Sequence, residues 1–191
     1  MARRQTDFIE GNYHLYNRGC NREDIFRSDD NYVFLTTRLK HYSEELNISV
    51  IAYCFMPNHY HLLVKQNGGA KAGLLVQSIF NSYTKAFNKM YKRSGTLFEG
   101  PYKSIQIDSI EYVVHLCRYI HRNPLRAKIV KRMEDWKYSN YLECVGKRSE
   151  VPFEKEFMKN HFGTSQEYEK FVLEYQPVAE LQKGIERFLL L

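Results

Sequence analysis

Apolar and polar positions change period several times along this chain, and each change marks an element. Tyr13–Arg18 (YHLYNR) alternates with period two and is β-favourable, a strand ended by Gly19. From about Asp30 to Leu46 the period lengthens. Leu35, Leu39, Tyr42 and Leu46 fall on one face of a predicted helix. Ile48–Phe55 (ISVIAYCF) is rich in β-branched and aromatic residues and predicts a second strand. Met56-Pro57-Asn58 turns the chain, since Pro57 cannot donate within a central ladder. His59–Lys65 (HYHLLVK) then becomes the antiparallel partner in a hairpin.

Gly68, Gly69 and Gly73 mark a loop. Leu75, Ile79, Tyr83, Ala86 and Met90 predict a helix from Leu74 to about Lys92, broken by Ser94-Gly95. Tyr102–Ile107 (YKSIQI) reads as a further strand. Asp108 with Glu111 resembles a capping box. The helix it opens is expected to run to about Arg122 and stop near Asn123-Pro124, because the residue before proline disfavours the α conformation.

The order β-α-β-β-α-β-α predicts an α+β fold, a ferredoxin-like antiparallel sheet with helices packed on it. The main domain is expected over residues 1–142 and a helical C-terminal tail over residues 143–191. In the tail, Glu167 to Tyr175 and Ala179 to Leu190 are expected to be helical, with Pro152 and Pro177 as punctuation. No chemistry is apparent there, so removing residues beyond about 150 is expected to spare it.

Composition narrows the class. With 43% hydrophobic and 26% charged residues, the 191-residue chain has the balance of a globular protein able to bury a core. Four dispersed cysteines (Cys20, Cys54, Cys117, Cys144) form no C-x-x-C pair, which argues against a zinc knuckle or a disulfide framework and for a reducing cytosol. MARRQTDF is followed by no signal-like apolar segment, and no apolar run approaches a membrane span. The net charge of +6 is uneven. Residues 1–142 carry 21 Lys and Arg against 13 Asp and Glu, while residues 143–191 carry 7 against 9. A basic main domain with 15% aromatic residues suits a polyanionic partner, although a core can use the aromatics equally well.

Three groups of residues can carry chemistry. His59 and His61 share one face of their strand with Cα atoms about 6.6 Å apart, so their imidazoles can converge on one ion. Tyr60, Leu62 and Val64 point to the other, apolar face. Surface or simply hydrogen-bonded histidines explain this pattern as well. Tyr119 and Asn123, four apart on a helix, can place a phenol and a carboxamide side by side. A half-buried aromatic and a helix-terminal Asn are the plainer account. His115, Arg118 and Arg122 form a stripe able to clamp phosphates. The stripe Ser78, Ser82, Lys85, Lys89 and Lys92 suits a phosphate backbone, or merely a solvated face.

Together, six segments resemble a known series. They are HLYNRGCNREDIF (His14–Phe26), AYCFMPNHYHLLV (Ala52–Val64), SYTKAFNK (Ser82–Lys89), GTLFEGPYKS (Gly95–Ser104), RYIHRNPLRAKIV (Arg118–Val130) and DWKYSNY (Asp135–Tyr141). In this order, across about residues 8–142, they resemble the single-tyrosine HUH transposases, in particular the group that includes the REP-associated tyrosine transposases.

The resemblance implies that His59 and His61 are metal ligands, that Asn123 helps hold the metal, and that Tyr119 is the nucleophile. Pro101 stands where relatives often carry arginine, and Asn123 where some carry glutamine. The expected activity is metal-dependent cleavage and rejoining of single-stranded DNA through a 5′-phosphotyrosine, on hairpins formed by palindromic sequence. The ion expected is Mg²⁺ or Mn²⁺. Arg118, Arg122, Lys85, Lys89, Lys92 and Lys103 are the expected DNA contacts. A cytoplasmic, nucleoid-associated location follows from such a partner, and relatives occur as monomers and as homodimers. Two alternatives remain. One is a relative that binds DNA without cutting. The other is an RNA-recognition module, which needs stacked aromatics where the open sheet face is expected to present two histidines.

Overall fold

The computed structural model describes residues 11–151 and 153–174. Its chain order is β1 (Gly11–Arg18), α1 (Asp29–Glu45), β2 (Ile48–Met56), β3 (His59–Gln66), α2 (Ala72–Met90), β4 (Lys103–Ile107), α3 (Ile110–Arg126), α4 (Tyr141–Cys144), α5 (Lys155–Phe162) and α6 (Ser165–Leu173). The four strands form one antiparallel sheet in the order β2-β3-β1-β4. This is the α+β, ferredoxin-like arrangement that the pattern predicts. The expected helix over Ala179 to Leu190, with Pro152, Tyr175 and Pro177, lies outside the described residues.

Period-two alternation divides the sheet chemically. Leu15, Leu62 and Val64 are buried on one side, where Tyr60 stacks on Phe80 of α2 with ring centroids 4.1 Å apart. Tyr83 is also buried there and donates its hydroxyl to the Ile25 carbonyl, the core role its apolar stripe predicts. α1 and α2 cover this face, and α3 crosses the other, closest to β2. The expectation of an open sheet face is therefore corrected. The apolar side of α3, with Val113, Leu116 and Ile120 fully buried, needs a surface to cover and uses that one.

Two details of α3 also differ from expectation. Its N-cap is Ser109, whose side chain accepts from the Tyr112 N–H, rather than Asp108. The helix continues through Pro124 to Arg126. Proline removes one backbone donor, but burial of Asn123 and Pro124 holds the last turn in place.

The loop after β1 anchors the β2–β3 turn. Ile25 and Phe26 both donate backbone N–H groups to the Pro57 carbonyl, at 2.8 and 3.0 Å, and Gly19 donates to the Asn58 carbonyl at 2.8 Å. A Cβ at Gly19 would collide with the Glu23 carbonyl oxygen, so this close crossing requires glycine.

The division at residues 142 and 143 falls within α4, and α6 packs against α3. His121 of α3 is buried in a polar knot. Its Nε2 lies 2.9 Å from Asn140 Oδ1, which also accepts the Tyr53 N–H at 2.7 Å. A carboxamide oxygen only accepts, so His121 carries its proton on Nε2, and Nδ1 accepts the Tyr168 hydroxyl of α6. Removing residues beyond 150 would strip Phe157, Tyr168 and Val172 from this packing, at a cost in stability. Tyr168→Phe leaves one buried nitrogen unpaired and should lower stability by about 1–3 kcal/mol. A thermal melt indistinguishable from that of the unaltered protein would show that the knot contributes nothing.

Candidate active site

β3 holds both predicted histidines on the face beneath α3. His61 pairs in register with Tyr16 of β1 and Cys54 of β2, and is fully buried. His59 begins the strand opposite Arg18 and is half-buried. Their ring centroids are 5.2 Å apart and nearly perpendicular. His59 Nδ1 lies 2.7 Å from the acceptor Asn58 Oδ1, so Nδ1 donates and Nε2 keeps its lone pair. His61 Nδ1 lies 3.0 Å from His14 Nε2. His61 Nε2 is buried and has no hydrogen-bond partner among the described residues.

Burial favours neutral imidazole at each of these positions. It lowers the pKa of His59 to about 4, with Asn123 opposing and Arg18 adding to the shift. Burial first, then His14, His59 and Arg126, hold His61 well below its ordinary value. Neutral imidazoles are what a cation requires.

Tyr119 meets this pair from α3. Its ring stands edge-on to that of His61 at 5.6 Å between centroids, and the side chain is only 7% exposed. The Arg126 guanidinium sits 5.1 Å from the Tyr119 ring centroid. Burial raises the Tyr119 pKa, and Asn123 and Arg126 oppose that rise. Asn123 adjoins both partners, lowering the pKa of Tyr119 while raising that of His59. Its buried Nδ2 has no hydrogen-bond partner among the described residues. Residues 119, 123 and 126, spaced i, i+4 and i+7, thus present one helix face to the histidines.

The next positions round the helix turn away. Arg118 and Arg122, expected beside Tyr119 as phosphate clamps, face α6 instead. Arg118 packs its guanidinium 3.7 Å from the Phe171 ring centroid, and Arg122 Nη1 donates to the Val172 carbonyl at 2.9 Å. His115 also adjoins Phe171. Lys103 is exposed on the histidine face, its Nζ 5.7 Å from the Tyr16 ring centroid. Lys85 and Lys89 are exposed on α2, across the sheet from α3, and Lys92 is exposed beyond the end of α2 with a φ of 49°.

The site also contains residues the sequence reading passed over. His14 and Tyr16 stack at 4.7 Å between centroids, and Tyr16 lies 5.9 Å from His61. Alternation in YHLYNR already places them on one strand face. Arg126 was hidden by the expectation that the helix ends before Pro124.

Among the described residues, no three His, Cys, Asp or Glu side chains form a metal-binding group. Two neutral imidazoles and the Asn123 carboxamide nevertheless fit a divalent ion with other positions left open. The unpartnered His61 Nε2 is the buried atom such an ion would satisfy.

The family model described as Transposase IS200 like matches residues 8–123. No curated protein matches the chain in sequence. A solved REP-associated tyrosine transposase bound to a REP hairpin is similar in fold, with a TM-score of 0.64 at 17% identity over 77% of this chain and 87% of that one. A putative transposase from Deinococcus radiodurans R1 aligns with a TM-score of 0.42 at 15% identity, over 71% of this chain and 98% of that one.

Proposed function

The chain belongs to the IS200-like transposase family, and from that premise we propose that it cleaves and rejoins single-stranded DNA, with Tyr119 as nucleophile and a divalent ion, Mg²⁺ or Mn²⁺, held by His59, His61 and Asn123. The observation that carries this reading is the meeting of Tyr119 with His61 at 5.6 Å, with Asn123 adjoining both Tyr119 and His59. One cluster then contains a nucleophile and a donor set.

The bound ion would draw charge from the scissile phosphate and stabilise the departing oxygen. The protein's own groups prepare the attack. A buried phenol is protonated at neutral pH, so Asn123 and Arg126, which favour the ionised form, supply the bias toward the phenolate. The phenol loses its proton, and its oxygen bonds to phosphorus. The bond to the 3′-oxygen breaks, leaving a 5′-phosphotyrosine and a free 3′-hydroxyl. Attack by a second 3′-hydroxyl reverses these steps and reseals the strand without ATP.

Hairpin-forming single strands are the proposed substrate, by analogy with the REP-hairpin complex of similar fold. Incubation with such oligonucleotides and Mn²⁺ should give a denaturant-stable protein–DNA adduct. Hairpin binding without an adduct under any divalent metal would favour the non-cutting reading.

Lys103 and Arg126 are exposed cations beside the Tyr16 and Tyr119 rings. DNA entering there should touch both. Each phosphate contact contributes about −0.7 to −0.9 to the slope of log K against log salt. Lys103→Ala with Arg126→Ala should therefore make that slope shallower by about 1.5. A larger change from joint substitution of Lys85, Lys89 and Lys92 would move the binding surface to α2.

A further inference from the structure

An imidazole that binds a cation through Nε2 must carry its own proton on Nδ1, and something must stabilise that tautomer. At His61 the group in position is His14. Its Nε2 lies 3.0 Å from His61 Nδ1, both side chains are fully buried, and the stacked Tyr16 ring confines His14 further. In one arrangement His61 Nδ1–H donates to His14 Nε2, His14 keeps its proton on Nδ1, and His61 Nε2 keeps its lone pair. In the other, His14 Nε2–H donates to His61 Nδ1, and His61 Nε2 carries a proton that blocks coordination.

Coordination selects between them: His61 Nε2 is buried with no hydrogen-bond partner among the described residues, and it can hold a cation only in the first arrangement, where it keeps its lone pair. We propose that His14 is a positioning residue that selects the Nδ1–H tautomer of His61 and fixes the direction of its ring. This rests on the reading of His61 as a metal ligand, although His14 touches neither substrate nor metal. A partner of this kind typically changes metal affinity 10–100-fold.

The test combines ¹⁵N-histidine NMR of the metal-free protein with Mn²⁺ titration of the unaltered chain, His14→Phe and His14→Gln. Phe keeps the stacking surface and offers no acceptor, whereas the Gln side-chain carbonyl can accept from Nδ1–H. The expected result is an Nδ1-protonated His61 in the unaltered chain. Mn²⁺ affinity should be about 10–100-fold weaker in His14→Phe and partly restored in His14→Gln, with metal-free hairpin binding unchanged in both.

An Nε2-protonated His61 in the unaltered metal-free chain, or full Mn²⁺ affinity in His14→Phe, overturns the proposal while leaving the proposed function standing. Failure of the unaltered chain to bind Mn²⁺ overturns both. If His14→Phe does not fold, His14→Gln decides together with His14→Leu. Equal affinities for those two would show that the acceptor has no role.

Discussion

Tyr119→Phe, the loss of one oxygen, is expected to eliminate the covalent protein–DNA adduct while leaving fold and hairpin affinity essentially unchanged. Deleting an enzyme nucleophile can cost on the order of a millionfold in rate, enough to take the product below detection. The structural cost should be small. The ring keeps its edge-on contact with His61 and its place beneath Arg126, and only the interactions made through the hydroxyl disappear. Tyr112 is the rival, two turns earlier on the same helix α3. Burial raises its pKa, and Tyr16 and Tyr119 add to the rise. Peptide mapping that finds the DNA on Tyr112, or an adduct that survives in Tyr119→Phe, would refute the assignment.

The histidine variants should lose cleavage together and part company in stability. His59→Ala and His61→Ala each remove an imidazole from the proposed metal site. Because a bound ion is worth several kcal/mol to a phosphoryl transition state, losses on the order of a thousandfold are expected. His59 is half-buried at the start of its strand, so its truncation should cost about 1 kcal/mol or less. His61 is fully enclosed and bonded to His14, so its truncation leaves a cavity and removes the hydrogen bond to His14 Nε2. A cost of roughly 2–4 kcal/mol follows. Paired melting curves and adduct assays separate the two effects. Equal melting temperatures for the two variants would contradict the burial difference, and Mn²⁺-dependent cleavage persisting in both would remove the metal site.

Local periodicity carried much of this fold. Alternation alone separated His59 and His61 from Tyr60, Leu62 and Val64, because a strand has only two faces. The helical stripe at Leu75, Ile79 and Tyr83 identified the core side of α2 for a similar reason. Local pattern does not say which side of a sheet a helix will cover, and so the histidine face was expected to lie open. Nor does it weigh a proline's lost donor against burial of the turn that contains it, and Arg126 was missed in consequence. The arginines at 118 and 122 illustrate the limit most directly. Their charge is plain in the sequence, but their direction depends on Phe171 and Val172, some fifty residues away and on another helix. The metal reading came from the family resemblance and the chemistry of the donor types, whereas the contribution of His14 needed the pairing of β1 with β3.

The two-residue turn at Pro57-Asn58, pinned by Ile25, Phe26 and Gly19, makes the site a question of odd and even. Every side chain on β3 is assigned to chemistry or to hydrocarbon by its count from that fixed corner. Inserting or deleting one residue between Asn58 and His61 would exchange the two sets. The imidazole of His61 would then face Phe80 and its neighbours, and an apolar side chain would face Tyr119. A change of two would preserve the parity while shifting the partners on β1. A substitution on β3 thus alters one side chain on one face, whereas a change in its length reassigns every side chain beyond it. Insertions and deletions are left to connections without such a count, such as residues 91–96, ahead of the pairing of Phe98 with Gly19, where the chain can lengthen without changing the face any ligand occupies.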